Sequence, residues 1–374
     1  MSGTHRILAP VWSFSFFLSA VFGCSRFWLE DPPNIVLITM DTTRADHCSV
    51  HGYERDTTPN LRRLAEQGTR FDSAYSPTST TASSHATIFT GLYPLTHRVL
   101  KNGIRLSDDF ATLAERLQGE GYQTAAVVGS FAMAGKFGFA QGFSSYDDRF
   151  LRDQSTFEVT QWQGHPVEEG FDRRADSTSR HAIEWLREKW DGQRPFFLFV
   201  HFFDPHFPYD PPERFETQLD LQPSEFEDAK QARLHEKIAK YDAEIAFTDF
   251  EIGKILDVLR EKDLEEHTIV IVTGDHGEGL MDHGYLMHAV HIYEEQVRVP
   301  FLIRWPGTIA AGRVIDAPLE MVDLAPTLLG LIDRLPHDAE FPGRNLARCL
   351  RTKIRSRWIR TTRSFCIANI SSRE

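Results

Sequence analysis

Two carboxylates and an imidazole stand directly after apolar runs in this chain. Asp41 follows Asn34-Ile35-Val36-Leu37-Ile38-Thr39-Met40, and Asp275-His276 follow Thr268-Ile269-Val270-Ile271-Val272 after a Thr-Gly step. Oxygen and imidazole donors suit a divalent metal ion. Taken singly, Asp41 reads equally as a helix cap and Asp275 as a turn residue. The metal reading depends on both reaching the same edge of one sheet. A third segment, Thr80-Thr81-Ala82-Ser83-Ser84-His85-Ala86-Thr87-Ile88-Phe89-Thr90-Gly91, reads as a polar turn entering a helix. A hydroxyl there sits in positive potential beside free backbone N–H groups, which favours a bound anion or a nucleophile whose alkoxide needs stabilising. The same residues also read as an ordinary Ser/Thr cap. His201, Asp204 and His206 come straight off Phe196-Phe197-Leu198-Phe199-Val200, and Asp282 to His291 adds His283, His288 and His291. His165, His181, His235, His267 and His337 read as surface or core histidines.

The elements that must position these residues are legible as nearly continuous apolar runs. The runs before Asp41, His201 and Asp275, with Thr124-Ala125-Ala126-Val127-Val128 and the shorter Pro300-Phe301-Leu302-Ile303, read as strands buried on both faces. Between them lie helical patterns. Leu61, Leu64 and Ala65 share a face that ends near Gly68, and Leu113, Ala114 and Leu117 share another before Gly119. Ile238, Tyr241, Ile245, Ile252, Leu256 and Leu259 trace a long amphipathic helix. Strands alternating with helices predict an α/β fold, with a mostly parallel central sheet and helices on both faces. Ligands of such sheets bind beyond the carboxyl ends of the strands, where the reactive residues stand.

The chain has 374 residues, 41 % hydrophobic and 25 % charged, a globular composition. Its formal net charge of −12 argues against nucleic acid as a partner. Four cysteines are too few for a disulfide scaffold and lack metal-finger spacing. Residues 1–24 carry His5 and Arg6, an apolar stretch and Val21-Phe22-Gly23-Cys24, which reads as a secretory or lipoprotein signal. That predicts an extracytoplasmic protein, periplasmic or anchored to the membrane through this segment. Residues 348–374 hold eight basic residues and one acid, a shift that marks a boundary. This segment reads as a lipid-facing basic tail or as a truncated or frame-shifted end.

In order along the chain, these motifs resemble the sulfatase family of the alkaline-phosphatase-like superfamily, over roughly residues 33–347. Asn34 to Asp46 resembles the first strand and metal aspartate, and Thr81 to Gly91 with Tyr93-Pro94 and His97 the nucleophile segment. His201 to Pro212 is similar to the histidine loop, Asp275-His276-Gly277-Glu278 to the last metal motif, and Val322 to Thr327 to the closing helix. The resemblance implies an alkaline-phosphatase-like fold whose small C-terminal subdomain would follow residue 347, where this chain has the basic segment. The family's nucleophile, a Cys or Ser converted to formylglycine, falls on Thr81, with Ser83 and His85 at its proline and arginine. One of the paired aspartates after the first strand is replaced by Thr42.

By the same resemblance, Asp41, Thr81, Asp275 and His276 hold one divalent ion, calcium by family habit, with manganese, magnesium or zinc as alternatives. Thr81 attacks, His288 or His206 protonates the leaving oxygen, and His85, Arg44, Asn102 and His201 contact the substrate. A second ion held by Asp204, His206 and His288 is the two-metal version. Three function classes follow. One is a hydrolase of small-molecule, glycan or lipid esters of sulfate or phosphate. The others are an envelope phosphotransferase or phosphodiesterase and an inactive sulfatase-like binding protein.

Overall fold

The computed structural model describes residues 32–219, 228–336 and 341–351. The segment 1–24 and most of the basic segment, 352–374, lie outside the described residues. The strands are β1 (Asn34–Met40), β2 (Thr69–Tyr75), β3 (Gln123–Val128), β4 (Ser145–Asp147), β5 (Gln161–Trp162), β6 (His165–Pro166), β7 (Phe196–Phe202), β8 (Thr268–Gly274), β9 (Arg298–Arg304), β10 (Arg313–Ile315) and β11 (Leu319–Glu320). The main sheet runs β10-β2-β9-β8-β1-β7-β3-β4, with β11 added to β2, while β5 and β6 form a separate ribbon. β1 pairs in parallel with both β7 and β8, and β3 in parallel with β7 and β4. The sheet is therefore mostly parallel, as the apolar runs predict. β9 departs from that by running antiparallel between β8 and β2.

Why the runs are apolar throughout is visible in β1. Ile35 and Leu37 enter one buried cluster, Val36, Ile38 and Met40 the other. A strand alternates its side chains between faces, so a central strand covered on both sides must be apolar at every position. One cluster packs beneath the helices Thr81–Thr90, Leu113–Gly119 and Leu324–Leu331, the other beneath Pro59–Gln67, Ala175–Glu184 and the long helix Ala229–Glu261. β2, with only Thr69, Phe71 and Ala74 buried, has a mixed pattern that gave no sequence signal. At the far end, helix Ala347–Arg351 places Leu350 in the core at 1 % exposed, so the packed fold runs past residue 347.

Parallel pairing brings the carboxyl ends of β1, β7 and β8 side by side. Met40 is level with Phe202 and with Gly274. That register is what gathers Asp41, the loop after Phe202 and Asp275 at one edge.

Candidate functional site

Asp41, Thr81, Asp275 and His276 converge beyond the ends of β1 and β8, all buried. One oxygen or nitrogen each from Asp41, Asp275 and His276 lies within 4.8 Å of the others. His276 Nε2 is 3.5 Å from Asp41 Oδ1 and 3.5 Å from Asp275 Oδ2. Thr81 Oγ1 stands 3.3 Å from the same nitrogen and 3.5 Å from Asp41 Oδ2. His276 Nδ1–H donates to Gly277 O at 3.0 Å, which leaves the Nε2 lone pair turned into the cluster. Asp41 Oδ1 and Asp275 Oδ2 are buried without a hydrogen-bond partner. Two orphaned carboxylate oxygens around an available imidazole lone pair are a donor set that fits a divalent cation, since burying them unpaired is costly.

Electrostatics agree. Burial pushes the Asp275 carboxyl well above its ordinary range, and neighbouring Asp41 pushes it further. Burial raises Asp41 too, but the hydrogen bond from His201 and the fields of His206 and His276 outweigh it and hold the carboxyl low. Burial, then His288, depress the His276 imidazole to about 3, so it is neutral, as a ligand must be.

Local backbone geometry sets these atoms. Thr42, next to Asp41, has φ 50°, a left-handed conformation unfavourable for a β-branched residue. It is held there from two sides. Thr42 N–H donates to Asp275 Oδ1 at 3.3 Å, and Tyr241 on the long helix donates to Thr42 O at 2.7 Å. Tyr241 Oη in turn accepts from Arg44 N–H at 2.9 Å. Gly277 is required because a Cβ there would fall 2.1 Å from Glu295 O. Thr81 is the first residue of helix Thr81–Thr90, and Ser84 Oγ ties that helix to Asp275 O at 2.7 Å.

Several sequence expectations change here. His85, expected to touch the substrate, is fully buried. Its Nδ1–H donates to Thr81 O at 2.8 Å and its Nε2 accepts from Thr39 Oγ1 at 2.9 Å. Both ring nitrogens are thereby engaged in fixing Thr81. Arg44 Nη2 lies 2.6 Å from Asp46 and 2.7 Å from Asp282, ion pairs that tie down the loop that carries His288. Asn102 Oδ1 accepts from Ala82 N–H at 2.8 Å and so braces the start of the Thr81 helix. His201 accepts from Gly129 N–H at Nδ1 and presents Nε2–H to Asp41 Oδ2 at 3.3 Å, which makes it the partner of a carboxylate.

The second metal site is not assembled among the described residues. Asp204 is buried beside Glu244 of the long helix; burial raises the Asp204 carboxyl to about 6 against the lowering effect of Glu244, and burial with the Asp204 charge pushes Glu244 well up. His206 and His288 pack edge to face, ring centroids 5.0 Å apart, without Asp204. The grouping His85, His201 and Asp275 also meets in space, but the bonds just given occupy both His85 nitrogens.

Glu278 was not singled out as a site residue, though it belongs to the Asp275-His276-Gly277-Glu278 motif. It is buried and accepts from His288 Nδ1–H at 3.2 Å. Burial pulls the His288 imidazole down, but Glu278 overcomes it and the pKa is raised. His206 goes the other way: burial lowers it, and its Nδ1–H donates to Phe207 O at 2.5 Å. The two imidazoles lie side by side with their pKa values moved apart, His288 up and His206 down, the pattern of an acid beside a base.

A sulfatase family profile matches residues 33–334 of the chain. Among characterised relatives, it is 30 % identical to an ulvan-active sulfatase of Formosa agariphila, in a match covering 80 % of this chain and 61 % of that protein. An arylsulfatase of Clostridium perfringens is 28 % identical over 79 % of this chain and 74 % of its own. The chain thus spans about three-fifths of the ulvan-active relative's length. Among solved structures, the phosphonate monoester hydrolase of Agrobacterium radiobacter superposes with a TM-score of 0.66 at 23 % identity, over 87 % of this chain and 78 % of that one, a likeness of fold.

Proposed function

The chain belongs to the sulfatase family, and from that premise we propose that it is a metal-dependent hydrolase of sulfuric esters with Thr81 as its nucleophile. The observation that carries this reading is the placement of Thr81 Oγ1 against Asp41 Oδ2 and His276 Nε2, beside the donor group of Asp41, Asp275 and His276, in which Asp41 Oδ1 and Asp275 Oδ2 have no partner. These four residues would hold one divalent ion, calcium by family resemblance. When bound, such an ion lowers the pKa of a hydroxyl and draws charge from the ester's oxygens.

The chain's own groups account for the rest. Thr81, at the first turn of its helix, lies in positive potential that favours its alkoxide. His85 and Asn102 keep that turn in place through Thr81 O and Ala82 N–H. Thr81 gives up its hydroxyl proton to solvent as its oxygen attacks sulfur, which forms the Thr81 sulfate ester and breaks the bond to the leaving oxygen. His288, whose pKa Glu278 raises, gives that oxygen its proton. His206, whose pKa burial lowers, accepts a proton from the water that then hydrolyses the ester, and the Thr81 oxygen is reprotonated as it leaves. The named relatives act on ulvan and aryl sulfates, which supports a glycan or small-molecule sulfate as substrate. We place the enzyme outside the cytoplasm on the sequence of residues 1–24.

An unmodified threonine also suits phosphoric esters, so the test runs both. Purified protein with Ca²⁺, Mn²⁺, Mg²⁺ or Zn²⁺ is assayed on aryl sulfate, aryl phosphate and bis-aryl phosphate, with Thr81→Ala beside it. Sulfate turnover lowered at least ~10³-fold by Thr81→Ala is expected. Turnover of phosphates alone would move the assignment to a phosphoesterase. Activity indifferent to Thr81→Ala, or absent with every ion, would refute the mechanism.

A further inference from the structure

At the end of β4, away from Thr81, lies a cavity of about 350 Å³ whose charged lining is Arg149, Arg173, Arg180 and Lys189 against Asp172 and Glu184, with His181 beside them. Cations outnumber acids in this lining, on a chain of net charge −12. The nearby acids only partly offset them. Asp147 alone serves three groups, Arg149 and Arg173 at 2.8 Å and His181 at 2.9 Å. Lys189 is paired with Glu184 at 2.7 Å. The Asp172 carboxylate is turned into its own loop, where it accepts from Ser155 Oγ, Thr156 N–H and Oγ1–H, and Phe157 N–H. Arg180 donates to Ser177 Oγ and has no carboxylate partner among the described residues. Arg173 is 3 % exposed, so its charge is built into the wall.

Position adds a second argument. Asp147 ends β4 and Asp41 directly follows β1, and the two strands run parallel in one sheet with β7 and β3 between them. By register Asp147 is level with Val127, Val200 and Ile38, so it lies three strand spacings across the sheet and three residues back from Asp41, roughly 17 Å away. A backbone link joins them as well: Arg173 N–H donates to Gly129 O, and Gly129 N–H donates to His201, the partner of Asp41.

We propose that this cavity is a second anion subsite, which takes a sulfate or phosphate group of an extended polyanion running from there towards Thr81. The reach to Thr81 rests on the function proposed above; the anion site does not. The guanidinium groups of Arg149 and Arg180 give charge-assisted hydrogen bonds to the oxyanion from the open side, and Arg173 fixes the back of the cavity.

The test is calorimetric titration of the full chain carrying Thr81→Ala, which binds without turnover. The probes are dextran sulfate oligomers, linear polyphosphate of matched length and unsulfated dextran. Arg149→Ala/Arg180→Ala should weaken binding of the preferred polyanion at least about tenfold, the scale of one lost charge-assisted contact. Charge reversal at both positions should weaken it further, and turnover of small aryl esters by the otherwise unaltered enzyme should be unchanged. Preference for dextran sulfate or for polyphosphate identifies the group bound. Equal affinity of the Arg149→Ala/Arg180→Ala and Thr81→Ala backgrounds for both polyanions overturns the proposal, as does equal binding of unsulfated dextran. Polyanion binding that depends on Arg149 and Arg180, in a protein that turns over no ester, would sink the hydrolase reading and leave this subsite standing.

Discussion

Replacing Asp275 by asparagine should stabilise the ion-free protein while abolishing its response to metal. Asp275 Oδ1 accepts from His276 N–H at 2.8 Å and from Thr42 N–H at 3.3 Å, bonds that an amide oxygen keeps. The amide NH₂ then stands where Oδ2 has no partner, facing Asp41 Oδ1, which also has none. The ligand atoms of Asp41 and Asp275 lie within 4.8 Å. Two full charges at that separation would repel by about 3.5 kcal/mol at an effective dielectric constant of about 20, and because the Asp275 carboxyl is raised the relief is at most that. Over about 300 folded residues, at roughly 2.1 cal/mol/K each, that is a rise of at most about 6 °C in the ion-free midpoint. The unaltered protein should instead gain about 2.7 kcal/mol, or about 4 °C, from an ion at a hundred times its dissociation constant. Differential scanning calorimetry with EDTA, then with excess Ca²⁺ or Mn²⁺, measures both. A lower ion-free midpoint in Asp275→Asn, or a metal-dependent rise that survives the substitution, would show that these carboxylates do not form the cation site.

Three further outcomes follow from the same geometry. Glu278→Gln removes the charge that raises the His288 pKa, so turnover of esters with poor leaving groups should fall about 10²-fold or more, and that of nitrophenyl esters much less; equal losses on both series would remove His288 from the acid role. Asp249 on the long helix accepts from Asn60 N–H and Leu61 N–H, both at 2.9 Å, at the start of helix Pro59–Gln67; Asp249→Ala should cost about 2–4 kcal/mol by urea denaturation, and a loss under 1 kcal/mol would count against that bracing. Asp204 is raised to about 6 in the fold by burial, so its folded state holds a proton that the unfolded chain has released. Its contribution is fully present below about pH 4 and is lost as pH rises through about 6, at up to about 1.4 kcal/mol per pH unit; Asp204→Asn should flatten urea midpoints over that window, and an unchanged slope would exclude Asp204 as its source.

Local pattern determined much of this protein. The unbroken apolar runs of β1, β3, β7 and β8 could only be strands buried on both faces, and parallel strands of that kind put Asp41, His201 and Asp275 at one edge. The threonine at the helix start after Thr80 was legible for the same reason, since helix termini have a chemical signature in sequence. Which way each side chain turns was not. His85, Arg44 and His201 carry the right chemistry for a substrate anion, yet each meets a partner distant in sequence: Thr39, Asp282 and Asp41. Tyr241 reads in sequence as a core position of the long helix and Glu278 as part of a motif, but their roles exist only once the 281–293 loop and the long helix close over the strand ends. β2, with only Thr69, Phe71 and Ala74 buried, leaves no clean period, and the antiparallel direction of β9 was settled by its neighbours. Sequence sets which groups can react and which faces must be buried. Hydrogen-bond partners and the fields that move a pKa depend on distances of a few ångströms between residues as far apart in sequence as Arg44 and Asp282, 238 positions, and only the tertiary structure decides those.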